Sequence, residues 1–91
     1  MVAGCRSSGV LTASTLVVTG QVKLVSIHYC AVGAPTVIKV FDNTAASGKE
    51  IARITIPPDT VGEFDMHGVL CMKGIYVHEA SGAMEVSVEY S

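Results

Sequence analysis

Apolar and polar side chains alternate strictly near the end of the chain, between residues 84 and 90. Successive side chains of a β-strand point to opposite faces of the sheet, so this alternation predicts a strand with one face in a core. We expect Glu85 and Glu89 to be exposed, and the substitution Glu89→Lys to leave stability nearly unchanged. The residues expected to point inward are Met84, Val86, Val88 and Tyr90.

Turn-forming residues divide the rest of the chain into short apolar segments. Proline cannot donate to a β-ladder and glycine tolerates positive φ, so both mark the ends of strands. The spacing of these turns is typical of a β-sandwich or a barrel, and no segment has the length and periodicity of a helix. The predicted strands are residues 10–19, 21–32, 36–41, 50–56, 62–67, 69–79 and 84–90.

The composition favours strands throughout. The chain contains 14 Val, 6 Ile and 7 Thr but only 4 Leu, and β-branched side chains suit a pleated sheet better than a helix. Its 91 residues allow one domain with one core. We therefore predict an all-β, antiparallel β-sandwich or jelly roll over residues 1–91, with seven to eight short strands, no substantial helix and a flexible N-terminal arm at residues 1–9. The predicted core includes Ile54, Ile56, Ile75, Val77, Val86 and Val88.

Several predicted strands are apolar in both phases, which leaves a second apolar face. Ile38 and Val40 alternate with apolar neighbours, and adjacent residues of a strand cannot share one interior. Exposed apolar patches larger than roughly a few hundred Å² are rare on monomers, so we expect this face to meet another subunit of a closed homo-oligomer. The predicted subunit interface consists of Leu24, Val37, Phe41 and Tyr76, with His28 and His78 near its edge.

The charge balance limits the class of partner. Charged residues make up 15% of the chain, and the net charge is −2. A nucleic-acid backbone or an anionic membrane surface attracts clustered Lys and Arg, but the 6 basic residues are spread along the chain. We therefore predict neither a nucleic acid nor a membrane as partner.

No motif in the chain predicts catalysis, a cofactor or a metal. His28, His67 and His78 lack the short spacing that is typical of zinc ligands. Asp42 and Asn43 at a hairpin are possible calcium ligands, but both residue types are also frequent in turns, and the turn interpretation is favoured. No serine or cysteine has the sequence context of an activated nucleophile. We predict a protein that is not an enzyme and has no catalytic residue, cofactor or metal ligand.

The three cysteines, Cys5, Cys30 and Cys71, are an odd number at wide spacing. A disulfide framework uses paired cysteines at closer and more regular intervals. We therefore expect Cys30 and Cys71 to be reduced and largely buried as small apolar side chains.

Two segments together resemble small β-sandwich virion structural proteins of tailed bacteriophages, of the capsid decoration, cement or fibre-associated type. In residues 37–52 a strand ends in Phe41-Asp42-Asn43-Thr44, and a small-residue hairpin containing Ser47-Gly48 leads into a strand with Ile51. In residues 74–90 the sequence Gly74-Ile75-Tyr76-Val77 precedes a small-residue turn and a final β-branched strand. The resemblance implies a trimer, a major capsid or other virion protein as partner, and a location in the virion after synthesis in the host cytoplasm.

Two functions are consistent with these expectations. The first is a decoration or cement protein that oligomerises and stabilises a capsid. The second is a small recognition module that binds carbohydrate or a host surface through loops at one end of the sandwich. A recognition module of this kind should present two or more Tyr or Phe side chains on one exposed loop or face, so the placement of the aromatic residues distinguishes the two.

Overall fold

The computed structural model describes residues 6–31, 33, 35–82 and 84–91. Among these residues there is no helix, and so none that is long and apolar enough to cross a membrane. The strands are β1 (Arg6–Ser7), β2 (Thr15–Thr19), β3 (Val22–Ala31), β4 (Thr36–Asp42), β5 (Lys49–Ile56), β6 (Thr60–Cys71), β7 (Gly74–Ser81) and β8 (Met84–Tyr90).

The strands form two antiparallel sheets of four strands each. Sheet A has the order β1-β8-β3-β6, and sheet B has the order β2-β7-β4-β5. The first strand pairs with the last, the second with the seventh, the third with the sixth and the fourth with the fifth. This nested pairing of eight strands in two sheets is a jelly roll. The predicted fold class is therefore confirmed.

The core lies between the two sheets and consists mainly of β-branched and aliphatic side chains. The buried residues of this layer come from strands β3 to β8, which direct alternate side chains into it. All six residues that were expected in the core are buried, and the most exposed of them is Ile54 at 5%. The side chain of Met84 lies outside the described part of the structure. The core residues are Leu24, Ile27, Ala31, Ile38, Val40, Ile54, Ile56, Cys71, Ile75, Val77, Val86 and Val88.

The N-terminal segment differs from the flexible arm that was expected at residues 1–9. Arg6 and Ser7 form β1 and pair with the end of β8, and the Ser8 hydroxyl accepts a hydrogen bond from the backbone N–H of Val88 at 2.9 Å. Backbone and hydroxyl groups hold this strand, so hydrophobic patterning does not reveal it. The expectation is wrong for residues 6–7, and residues 1–5 lie outside the described part of the chain.

Strand β6 is longer than expected because Gly68 does not end it. His67 and Gly68 have φ angles of 53° and 76°, and they belong to a bulge opposite Val25 of β3. After the bulge the ladder resumes and runs to Cys71. The chain therefore crosses from sheet A to sheet B at residues 72–73, four residues later than the sequence pattern indicates.

The Asp42 carboxylate holds this crossing between the sheets. It accepts hydrogen bonds from the backbone N–H groups of Lys73 at 2.9 Å and Met72 at 3.1 Å. These bonds favour the charged form and lower the pKa of Asp42 below 3.8, against the opposing effect of burial. Gly74 follows directly, and a Cβ at this position would overlap the carbonyl of Val18.

Candidate functional site

The outer face of sheet B carries apolar side chains on three neighbouring strands. Leu16 of β2 lies opposite Tyr76 of β7, and Tyr76 lies opposite Phe41 of β4. Their strand neighbours Val77 and Val40 are buried in the core, so alternation places the three residues on the outer face. Phe41 is 8% exposed and Leu16 is 40% exposed. Leu16, Tyr76 and Phe41 are called the apolar row below.

Basic side chains lie beside the apolar row. His78 of β7, Lys39 of β4 and Arg53 of β5 are opposite one another in the ladder. Arg53 forms a two-pronged ion pair with Glu50, with N–O distances of 3.0 and 2.8 Å. This pairing lowers the pKa of Glu50 and raises that of Arg53. At the other end, His78 Nδ1 lies 3.2 Å from the Ser14 hydroxyl, so the apolar row has a polar border.

The outer face of sheet A is organised around His28 of β3. Its Nε2 lies 2.9 Å from a carboxylate oxygen of Glu63 on β6, and its Nδ1 bonds a carboxylate oxygen of Glu89 on β8. Glu89 also accepts hydrogen bonds from the hydroxyls of Ser7 at 3.0 Å and Ser26 at 3.1 Å. The His28 imidazole and the Glu89 carboxylate thereby connect all four strands of sheet A.

The two carboxylates favour the protonated form of His28. The hydrogen bond to Glu89 is the largest cause that raises the pKa of His28 above 6.5; desolvation opposes it, and the negative charges of Glu89 and Glu63 add to it. The Glu89 side chain is 20% exposed, whereas Glu85 on the same strand is exposed. Glu89 does point outward, but the expectation that it is exposed is wrong because neighbouring side chains cover it.

The arrangement around His28 does not form a metal site. Glu63 and Glu89 contact different nitrogens of the imidazole, so they do not converge on one ion together with a single ring nitrogen. Within the described residues, no group of three or more His, Cys, Asp and Glu side chains is placed to hold a metal ion.

Asn43 bonds the backbone of its own hairpin, as the turn interpretation predicts, whereas Asp42 bonds the backbone of residues 72–73 and does not follow that interpretation. The Asn43 side-chain amide donates to the carbonyl of Ser47 at 2.8 Å, and its oxygen accepts from the N–H of Thr44 at 2.8 Å. Both bonds lie within the β4–β5 hairpin. The Asp42 carboxylate instead accepts hydrogen bonds from the backbone N–H groups of Met72 and Lys73, where the chain crosses between the sheets.

The structure separates the residues that were expected to form one subunit interface. His28 lies on the outer face of sheet A, on the opposite side of the sandwich from the predicted interface residues of sheet B. Leu24 is completely buried in the core, so its assignment to an interface is wrong. The physical reason is the ladder irregularity at Val25, which places Leu24 and Ile27 on the same side of β3 although they are three residues apart. The remaining four share the outer face of sheet B: Val37, Phe41, Tyr76 and His78.

The two described cysteines have different surroundings. Both are free, as expected. Cys71 is completely buried, and desolvation is the main cause that raises the pKa of its thiol. Cys30 is only half-buried, and it lines a shallow groove of about 190 Å³ on sheet A together with Val10, His28, Tyr29, Glu85, Val86 and Ser87. Cys5 lies outside the described residues.

Sequence reasoning missed the free edge of sheet A at β6. The ladder places Glu63 opposite His28 and Asp65 opposite Ser26, so both carboxylates lie on the outer face. Nothing within this segment marks an edge strand, because the edge position depends on the order of the strands in the sheet. Four of the six exposed large apolar residues in the described part of the chain lie on β6 or directly after it: Val61, Phe64, Leu70 and Met72.

Comparison with known proteins adds no relative to this description. No family model, no curated protein and no solved structure matches the chain. The basis for a functional proposal is therefore the molecule's own surface, together with the resemblance of residues 37–52 and 74–90.

Proposed function

We propose that this chain is a non-enzymatic structural protein of a virus particle, a decoration or cement protein that assembles into a trimer and stabilises a capsid. Jelly rolls are common in viral capsid domains, although lectins and cupins use the same fold. The resemblance of residues 37–52 and 74–90 to phage virion proteins favours a viral structural role over the role of a lectin or a cupin. The trimer is chosen over other closed assemblies on the strength of that resemblance.

The observation that carries the proposal is the apolar row on the outer face of sheet B. Sheet B already buries its inner face in the core, so this row is a second apolar surface on the same sheet. Leu16, at 40% exposure, and the half-buried Tyr76 and Val37 offer contact area to another subunit. Lys39 and His78 lie between Val37 and the apolar row, and the pair Arg53–Glu50 lies at its β5 side. Polar groups thereby adjoin the apolar residues, as they do in many interfaces.

The proposed mechanism is thermodynamic. A protein that binds the assembled shell but not its free subunits stabilises the shell by mass action. At a free concentration about 100 times its Kd, such a ligand contributes about 2.7 kcal/mol per site. No catalytic group is needed for this role.

The alternative, a recognition module for carbohydrate, has weaker support. All five aromatic residues are described, and Phe64 is the only one of them that is exposed, at 47%. Its ring lies 5.7 Å from that of Tyr29, which is half-buried against the core. A stacking platform of two exposed rings is therefore not formed by the described side chains.

The location is tested by separating lysates of cells that naturally carry the gene on a density gradient and probing the fractions with an antibody against this chain. We expect the chain to band with particles that contain nucleic acid and capsid protein. Recovery of the chain only in the fractions of free protein would contradict the proposal.

The assembly is tested by sedimentation of the purified protein and of the double variant Leu16→Lys, Val37→Lys. We expect wild type to sediment as a trimer and the variant as a folded monomer, because two ammonium groups cannot be desolvated in an apolar contact. The matched control is Val10→Lys with Ala46→Lys, which adds the same charge at exposed positions outside the strands of both sheets and should remain trimeric. A monomeric wild type at high micromolar concentration would overturn the assembly proposal.

A further inference from the structure

The free edge of β6 has the properties of a binding site for an extended peptide segment. β6 is the longest strand, with 12 residues, and it is the last strand of sheet A. Among the described residues it pairs only with β3. Alternate N–H and C=O groups along its other side therefore point away from the sheet, where an added strand can bond them.

The bulge at His67 and Gly68 limits the length of this edge. Their positive φ angles interrupt the ladder, and the regular part of β6 before them is residues 60–66. Seven residues of extended chain span roughly 23 Å. This length is sufficient for the backbone bonds of one short strand.

The side chains along residues 60–66 differ between the two faces. Phe64, 47% exposed, and the half-buried Met66 lie on the side of the core. Glu63 and Asp65 lie on the outer side, with side chains 69% and 68% exposed. A strand added to this edge would meet apolar side chains on one face, and two carboxylates together with the exposed Val61 on the other.

These carboxylates disfavour a second copy of the chain as the occupant. An antiparallel pair of β6 strands centred on Phe64 would place Glu63 of each copy opposite Asp65 of the other. Like charges directly opposite in a ladder are destabilising, and charged residues on an edge strand are a common protection against self-pairing. The charge complementary to this edge is positive.

We propose that residues 60–66 of β6 bind an extended segment of another protein by strand addition. The segment would have alternating side chains, with Lys or Arg opposite Glu63 and Asp65 and apolar residues beside Phe64. Strand addition gains its affinity from backbone bonds and its specificity from alternate side chains. This site lies on sheet A and does not require the capsid role or the trimer contact on sheet B, so it stands or falls separately from them.

The probe is a blocked seven-residue peptide of alternating Lys and Val, with binding measured by calorimetry and by NMR of the full chain. We expect it to bind and to slow amide hydrogen exchange in residues 60–66. A peptide of alternating Glu and Val should bind at least about tenfold more weakly, because each cross-strand charge pair reverses sign.

A third peptide distinguishes strand addition from simple charge attraction. Alternating Lys and Val with every backbone nitrogen methylated keeps the side chains and the charge but removes all backbone donors. We expect it not to bind. Equal binding of the methylated and unmethylated peptides, or no binding of either, would overturn the proposal.

The charges can also be reversed in the protein instead of in the peptide. Glu63→Lys with Asp65→Lys should exchange the preference, so that the Glu peptide binds better than the Lys peptide. The control Glu79→Lys with Glu85→Lys changes the net charge equally away from β6 and should keep the wild-type preference. Because Glu63 also contacts His28, the single variant Asp65→Lys provides a milder test that keeps this contact, and it should weaken binding of the Lys peptide. An unchanged preference in the folded variants would contradict the proposed register.

Discussion

The two outer faces of the sandwich are covered by different chemistry. On sheet A, Glu89 and His28 connect four strands through hydrogen bonds and ion pairs. On sheet B, the apolar row connects three strands, and Arg53–Glu50 closes its border. Both sheets have four antiparallel strands, and their outer faces differ in the side chains that connect these strands.

This difference determines which changes destabilise each face. A face held by ionised groups responds to pH and to salt, because both change the charges or their interaction. A face held by packed apolar side chains responds to the loss of volume. The outer faces should therefore fail under different perturbations, although they cover one common core.

The largest expected effect tests the register of β8, on which the assignment of the outer face depends. Val88→Asp places a carboxylate in the core, where Val88 is completely buried. An unpaired buried charge should destabilise the protein by roughly 3–5 kcal/mol, measured by urea unfolding. Variants of the same strand calibrate this value: Glu85→Lys should be nearly silent, and Glu89→Lys should fall between them because it breaks bonds to two serines and His28. Equal effects of Val88→Asp and Glu85→Lys would show that the register is wrong.

How much of the fold and of the candidate site was predictable depends on whether a feature is set by residues that are neighbours in the sequence. The inward phase of residues 84–90 follows from alternation, and the buried Val86 and Val88 confirm it. Leu24 was assigned to the wrong surface because the bulge at Val25 breaks the period of two, and a bulge has no apolar or polar signature. The cluster of His28, Glu63 and Glu89 could not be predicted, because it joins strands far apart in sequence and depends on the order of the sheet.

The second prediction concerns the apolar row on sheet B. Phe41→Ala should destabilise the protein by about 2–4 kcal/mol, because a nearly covered aromatic ring is removed. Leu16→Ala at the exposed end of the row should lower the free energy of unfolding by less than about 1 kcal/mol, when both variants are measured at protein concentrations low enough to dissociate the proposed trimer. Urea unfolding of both variants in low and high salt checks the assignment, since neither effect should depend on salt. Similar losses for the two variants would show that Phe41 is not packed as described.

The smallest expected effect is the pH dependence that His28 gives to sheet A. The pKa of His28 is raised in the folded state, so its contribution to stability is fully present below the unfolded value near 6.5 and is lost as pH rises through the folded value. The groups that face His28 are Glu89 of β8 and Glu63 of β6, with Asp65, Glu85 and Cys30 farther out on the same face. Urea unfolding of wild type and His28→Gln from about pH 5 to about pH 9 should show a stability difference that decreases with increasing pH.

The control variant is His28→Lys, which keeps a positive charge over this whole range. Its stability should therefore not decrease with increasing pH as that of wild type does. If the difference between wild type and His28→Gln stays constant with pH, the ion pairs of His28 do not contribute to stability, and the contrast between the two faces is reduced to packing.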